Sequence, residues 1–157
     1  MFNWCFIGTG QIAKKVAKEL VTNPGHQIVS VFNRTKAKAE KFAKIYHSTV
    51  YESALEAIND PRVDGVYIAT TNETHFSFCK LCLENHKPVL CEKPITGNTK
   101  ELKELAGIPN NRPVADFLGS EITAYKTVAQ INSRREIEKH DLHGVQDIGE
   151  VGIEETI

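Results

Sequence analysis

Trp4-Cys5-Phe6-Ile7-Gly8-Thr9-Gly10-Gln11-Ile12-Ala13 is the stretch on which the fold turns. A short apolar run that stops at a glycine reads as a buried strand ending in a turn. Gly8-Thr9-Gly10-Gln11-Ile12-Ala13 then matches G-x-G-x-x-G/A. Ile12, Ala13, Val16, Ala17 and Leu20 recur at helical spacing until Asn23-Pro24-Gly25 ends the pattern. Strand, glycine pattern and helix in this order can cradle a pyrophosphate. Gly8 permits the tight turn, Gly10 lets the backbone approach a ligand, and Ala13 allows close helix–strand packing. Thr9, Gln11 and Ile12 complete a loop whose free N–H groups and positive helix end would face the phosphates. A plain tight turn with no ligand would carry the same string; the context at a strand's end favours binding.

Working outward, apolar and β-branched runs at 27–32, 48–51, 63–69 and 88–91 predict further strands. Helical patterns are predicted at 11–21, 36–46, 52–59, 74–85 and 98–106, the last with Thr96 or Asn98 near its cap. This alternation predicts the α/β class: a Rossmann-type doubly wound parallel sheet of five or six strands, helices on both faces, in the order 3-2-1-4-5. Past Pro109 the pattern weakens. Residues 110–113 read as a turn, 114–117 as a sixth strand and 121–139 as a helix, with Ile122, Tyr125, Val128, Ala129 and Asn132 along one stripe. The organisation expected is a dinucleotide-binding domain over residues 1–118, followed by a crossing helix and the start of a second domain over 119–157.

Charge and composition narrow the partners. The 157 residues carry 19 Lys+Arg against 20 Asp+Glu, a net charge of −1, which gives no general pull toward nucleic acid or an anionic membrane. No apolar run approaches the ~18 residues of a membrane span. The amino terminus has no basic region or cleavage signal, so a cytoplasmic location and reduced cysteines are expected. Cys79 and Cys82 fall mid-helix among Phe76, Phe78, Leu81 and Leu83, where they read as small buried side chains rather than a redox pair. No second CxxC completes a zinc site, and His140-Asp141-Leu142-His143 reads as a polar helix end; no metal is expected.

The end of the second strand chooses the nucleotide. An acid about 20 residues after the glycines would bind the ribose hydroxyls of NAD. Here Asn33-Arg34-Thr35 stands there, with Lys38 close behind. Asn33 and Thr35 can bind a 2′-phosphate without repulsion, and Arg34 can pair with it or stack on adenine. This favours NADP(H) and leaves NAD(H) open; a solvated turn is the plainer reading of the same cations. After the fourth strand comes Ala69-Thr70-Thr71-Asn72-Glu73-Thr74-His75, and after the fifth Cys91-Glu92-Lys93-Pro94. Both segments land at carboxyl ends, where ligands of open parallel sheets bind. Pro94 biases Lys93 toward an extended conformation, an arrangement that could hold the Lys93 side chain over a nicotinamide. An exposed Glu92–Lys93 ion pair before a turn is its bland alternative.

Gly8-x-Gly10-x-Ile12-Ala13, Ala69-Thr70-x-Asn72-x-x-His75 and Glu92-Lys93-Pro94 together resemble the glucose–fructose oxidoreductase, inositol dehydrogenase and rhizopine-catabolism family, which includes dimeric dihydrodiol dehydrogenases. The resemblance covers roughly residues 3–106, and Asp147-Ile148-Gly149-Glu150-Val151 resembles the family's entry into its second domain. It implies that Gly8, Gly10 and Ala13 bind pyrophosphate and that Asn33, Arg34 and Lys38 select the adenine ribose. Ala69, Thr70, Thr71, Asn72 and His75 would line the nicotinamide side, with Glu92 and Lys93 near cofactor and substrate and Lys93 the candidate catalytic residue, able to hold a substrate oxygen during hydride transfer. The implied activity is hydride transfer between NAD(P) and a hydroxyl or carbonyl of a sugar, polyol or dihydrodiol. Thr71 stands where the family commonly has Pro. The second domain, which supplies an Asp and a His for substrate binding and proton transfer, is expected to be largely absent. A non-catalytic NADP-binding sensor or truncated domain is therefore the alternative. The partners expected are a small-molecule substrate and a second copy, the latter through a loose strand over 150–157.

Overall fold

The computed structural model describes residues 1–108 and the backbone of two further strands, 114–118 and 121–123. Its strands are β1 (Phe2–Ile7), β2 (His26–Phe32), β3 (Thr49–Val50), β4 (Gly65–Ile68), β5 (Val89–Glu92), β6 (Val114–Leu118) and β7 (Glu121–Thr123). The helices are α1 (Gln11–Leu20), α2 (Lys36–Tyr46), α3 (Ala54–Ile58), α4 (Asn72–Glu84) and α5 (Thr99–Ala106). All strands join one sheet in the order β3-β2-β1-β4-β5-β6-β7. The pairings from β3 to β6 are parallel, and β7 runs antiparallel to β6. The expected 3-2-1-4-5 order is present, extended by the sixth strand.

Side-chain alternation along the strands builds two cores. Cys5, Ile7, Val66, Ile68, Val89 and Cys91 pack with α3, α4 and α5 on one face. Phe6, Tyr67 and Leu90, the intervening residues, pack with α1 and α2 on the other. The register slips between Trp4, opposite Ile28, and Cys5, opposite Ser30. That bulge at Val29 sends Val29 and Ser30 to the same face: Val29 joins the first core, and the Ser30 hydroxyl donates to the Ala57 carbonyl at 2.7 Å. Helix α1 buries Ala13, Val16 and Ala17, and α2 buries Ala39, Phe42 and Ala43, so each places a small residue against the sheet. All four cysteines are free, buried and in the first core. Burial pushes the Cys5 thiol up to about 12, which removes it from thiol chemistry at neutral pH.

Two expectations need correction. Residues 121–123 form strand β7, not the start of a helix. The helical stripe ignored Gly119-Ser120, a hairpin-type dipeptide, and the β-branched Ile122-Thr123 that follows it. Helix α4 begins at Asn72, two residues before the expected start, because extended Thr71 (ψ 150°) serves as its N-cap. Asn72 thus sits on the first helical turn rather than before the helix, and His75, expected on the helix, lies at the end of that turn. The remaining expectations past Thr123, the crossing helix, His140-Asp141-Leu142-His143, Asp147–Val151 and the 150–157 strand, lie outside the described residues, as does the turn at 110–113.

At the amino end of β4 a polar cluster closes the sheet. Arg62 donates to both Asp60 oxygens (3.0 Å from Nε, 2.5 Å from Nη2) and to the Thr49 hydroxyl at 2.9 Å, and Tyr51 adds a 2.9 Å bond to Asp60. Asp60 is only 3% exposed. The Arg62 hydrogen bonds hold its carboxyl at about 2. A depressed carboxyl stabilises the fold fully above its ordinary value and loses that contribution as pH falls through the folded value. Stability should therefore drop between about pH 4 and pH 2. Asp60→Asn should cost about 2 kcal/mol at neutral pH and flatten that acid-side decline, read from denaturant melts across the range.

Candidate functional site

Register sets the site before any side chain does. Ile7 stands opposite Phe32 and Ile68, and Ile68 opposite Cys91. The residues that follow, Gly8, Asn33 and Ala69, therefore leave the sheet side by side at its carboxyl edge, beside Glu92, the last residue of β5. Gly8 N–H donates to the Phe32 carbonyl (2.9 Å), and Ala69 N–H to the Ile7 carbonyl (2.9 Å).

Gly8 has φ +96°, and a Cβ there would lie 2.4 Å from the Ala69 oxygen, so only glycine fits. Gly10 differs: a Cβ would meet nothing within 4 Å, and the residue is exposed. It is the N-cap of α1, with no side-chain cap and no acid in the first turn. The first N–H groups of a ten-residue helix thus face outward beside open space. The Thr9 hydroxyl is buried with no hydrogen-bond partner among the described residues, an unspent donor inside the turn. Exposed Gln11 and Ile12 flank this cradle, while Ala13, 0% exposed, seats the helix on the sheet. An open cradle, free N–H groups and a positive helix end fit a dinucleotide's pyrophosphate.

Beyond β2, Asn33 turns its amide onto the Thr35 carbonyl (3.0 Å) and so shapes its own turn. Lys36 is taken by Glu52. Arg34 and Lys38 are exposed and their side chains have no hydrogen bond or ion pair among the described residues; Thr35, the α2 N-cap, is exposed too. Beyond β4, Thr71 and Asn72 are exposed, Ala69 is half-buried, and the Thr70 hydroxyl accepts from Thr74 at 2.7 Å.

His75 does not stand open to this face. It is 1% exposed, with Nδ1 2.7 Å from the Pro94 carbonyl and Nε2 3.3 Å from the Thr70 carbonyl. Glu92 is likewise engaged, its Oε1 accepting the Tyr67 phenol at 2.5 Å. Burial, then the Glu92 hydrogen bond, push the Tyr67 hydroxyl well above its ordinary range, which keeps it a donor. Lys93, between Glu92 and Pro94, is exposed. Tyr67 escaped the sequence reading because it sits in the apolar run Gly65-Val66-Tyr67-Ile68. Its signal is a hydroxyl on a strand buried on both faces, which must find a partner.

These features define a Rossmann-type dinucleotide-binding domain. The family model described as an oxidoreductase family with an NAD-binding Rossmann fold matches residues 2–115, and the chain belongs to that family, the glucose–fructose oxidoreductase, inositol dehydrogenase and rhizopine-catabolism family. Over 105 residues it is 36% identical to trans-1,2-dihydrobenzene-1,2-diol dehydrogenase of Xenopus laevis, covering 65% of this chain and 32% of that protein. Over 115 residues it is 36% identical to D-xylose 1-dehydrogenase (NADP(+)) of Hypocrea jecorina, covering 65% and 29%. The crystal structure of GenD2 from gentamicin A biosynthesis, in complex with NAD, shares the fold with a TM-score of 0.70 at 23% identity, over 73% of this chain and 34% of that one. The chain spans about a third of the length of the curated relatives it matches. Among the described residues, no helix is long and apolar enough to cross a membrane, and no cluster of His, Cys, Asp and Glu could hold a metal ion.

The two glycines separate folding from binding. Gly8→Ala should destabilise strongly, since the backbone of Ala69 blocks the methyl group. Gly10→Ala should lower stability by no more than about 1 kcal/mol. It should nevertheless weaken dinucleotide binding at least about tenfold, because the methyl occupies the cradle. Thermal melts and calorimetric titration of both variants check this.

Proposed function

We propose that the chain supplies the NADP(H)-binding half of an oxidoreductase acting on a hydroxyl or carbonyl group of a small sugar, polyol or dihydrodiol-type compound. The observation that carries the choice of nucleotide is the end of β2: no carboxylate, and exposed Arg34 and Lys38 without partners among the described residues. The name of the Hypocrea relative, an NADP(+) dehydrogenase, supports it. In this reading Gly8, Thr9, Gly10, Gln11, Ile12 and Ala13 hold the pyrophosphate, and Arg34, Thr35 and Lys38 the 2′-phosphate, with Asn33 shaping the turn. Ala69, Thr70, Thr71 and Asn72 border the nicotinamide, with Glu92 and Lys93 beyond them. A bound nicotinamide dinucleotide supplies or accepts the hydride. Lys93 has three donors to orient a substrate oxygen and ease its change of charge. A second reading, a binding module without turnover of its own, draws on the one-third span against its relatives.

NADPH should bind at least about tenfold more tightly than NADH. Arg34→Ala should erase about 10- to 100-fold of NADPH affinity while moving NADH by no more than a few-fold, as loss of a charge-assisted phosphate contact predicts. Equal affinities, or an unchanged Arg34→Ala titration, would refute the NADP assignment. Oxidation of NADPH with a panel of carbonyl compounds separates the two readings: turnover supports the enzyme half, and binding without turnover the module.

A further inference from the structure

We infer that Tyr67 and His75 are positioning residues for Lys93, gripping the Glu92-Lys93-Pro94 segment from either side; this rests on the reading that Lys93 serves the nicotinamide end of the cofactor. The juxtaposition is specific. Tyr67 is 0% exposed, its ring packed 4.8 Å from Phe6, and its phenol reaches Glu92 Oε1 at 2.5 Å. His75, on the first turn of α4, reaches the Pro94 carbonyl with Nδ1 at 2.7 Å. A carbonyl only accepts, so the ring donates from Nδ1. The residues before and after Lys93 are thus each tied to the β4–α4 unit, while Lys93 itself is exposed and unpaired among the described residues.

Neither polar group is required by packing. Phe would fill the Tyr67 position in a strand otherwise built of Gly65, Val66 and Ile68, and a buried hydroxyl or imidazole is costly without a partner. The Tyr67 hydroxyl and His75 Nδ1 both reach the segment that holds an open ammonium, while His75 Nε2 faces the Thr70 carbonyl. One free residue between two anchored neighbours has little backbone freedom left, so the direction of its side chain is set before any ligand arrives. The same unit also carries the Ala69 carbonyl against Gly8. The lysine is thereby held in fixed relation to the phosphate turn.

The test compares two ligands on the full chain: NADPH, and 2′-phospho-ADP-ribose, which lacks the nicotinamide. Lys93→Ala should weaken NADPH about five- to tenfold while leaving the truncated ligand unchanged, the size of one lost hydrogen bond. Tyr67→Phe and His75→Leu should each reproduce a several-fold part of that selective loss, and should add nothing further in the Lys93→Ala background. His75→Gln, which keeps a donor, should restore part of it. Tyr67→Phe preserves core volume and carries the test even where His75→Leu does not fold. Selective loss in Lys93→Ala with equal or no effects on both ligands in the Tyr67 and His75 variants overturns the positioning role and spares the reading of Lys93. No selective loss in Lys93→Ala overturns both.

Discussion

At Gly8 the chain passes the carbonyl of Ala69 so closely that a single methyl group would sit 2.4 Å from its oxygen. Much of the molecule follows from that contact. It requires β1 and β4 to be neighbours with their carboxyl ends level, and the pairing of Ile7 with Ile68 is that arrangement seen along the strands. It needs a backbone with φ +96°, which turns the chain sharply from strand into α1 and leaves Gly10 over open space. It also makes β1 the strand from which the order departs both ways, toward β2 and β3 on one side and β4 and β5 on the other. In such sheets the crevice at the reversal is where ligands lie.

Helix capping follows the same geometry. Helices α3 and α5 start with side-chain caps: Ser53 forms a full capping box with Glu56, and Asn98 accepts from Glu101 N–H. Helices α1, α2 and α4 start at Gly10, Thr35 and Thr71 with no side-chain cap bond. The capped helices follow β3 and β5; the uncapped ones follow β2, β1 and β4, the adjacent strands between them. A missing cap costs about 1 kcal/mol. The cost falls on the helices that follow three adjacent strands, and at α1, which has no acid in its first turn, the uncapped N–H groups suit a phosphate anion.

The framework was legible because it rests on local patterns. The glycine turn, the 36–46 helix and the alternation of strands with helices each depend on residues adjacent in sequence, and the strand order follows from their connection rules. What escaped depends on partners distant in the chain. The bulge at Val29 satisfies β2 against β1 and leaves no mark in an apolar run. Tyr67 and Glu92 are 25 residues apart, His75 and Pro94 19 apart, and only folding brings each pair together. His75 shows the difference most clearly. The family resemblance implies a ring lining the nicotinamide side, whereas the fold turns it inward onto the Pro94 and Thr70 carbonyls. Residues 121–123 failed for another reason: a short strand paired at a sheet edge borrows its stability from β6, and helical spacing in the sequence cannot register that.

The two ends of the sheet treat polar groups in opposite ways. At the amino end of β4, Asp60, Arg62, Tyr51 and Thr49 satisfy one another, and the buried Asp60 carboxylate is fully engaged in the network. At the carboxyl end Thr9, Arg34, Lys38 and Lys93 are left without partners among the described residues. Parallel strands make this asymmetry available, because every strand's carboxyl end and every following helix's positive end lie on one side. An unspent donor there costs stability in the free protein, yet it is ready to act on a ligand without first breaking an internal bond. The buried pairs of Tyr67 with Glu92 and His75 with Pro94 belong to this open end as well. Both pairs spend their hydrogen bonds inward, next to the exposed lysine. Rigidity beneath and freedom at the tip are what a positioned charge requires.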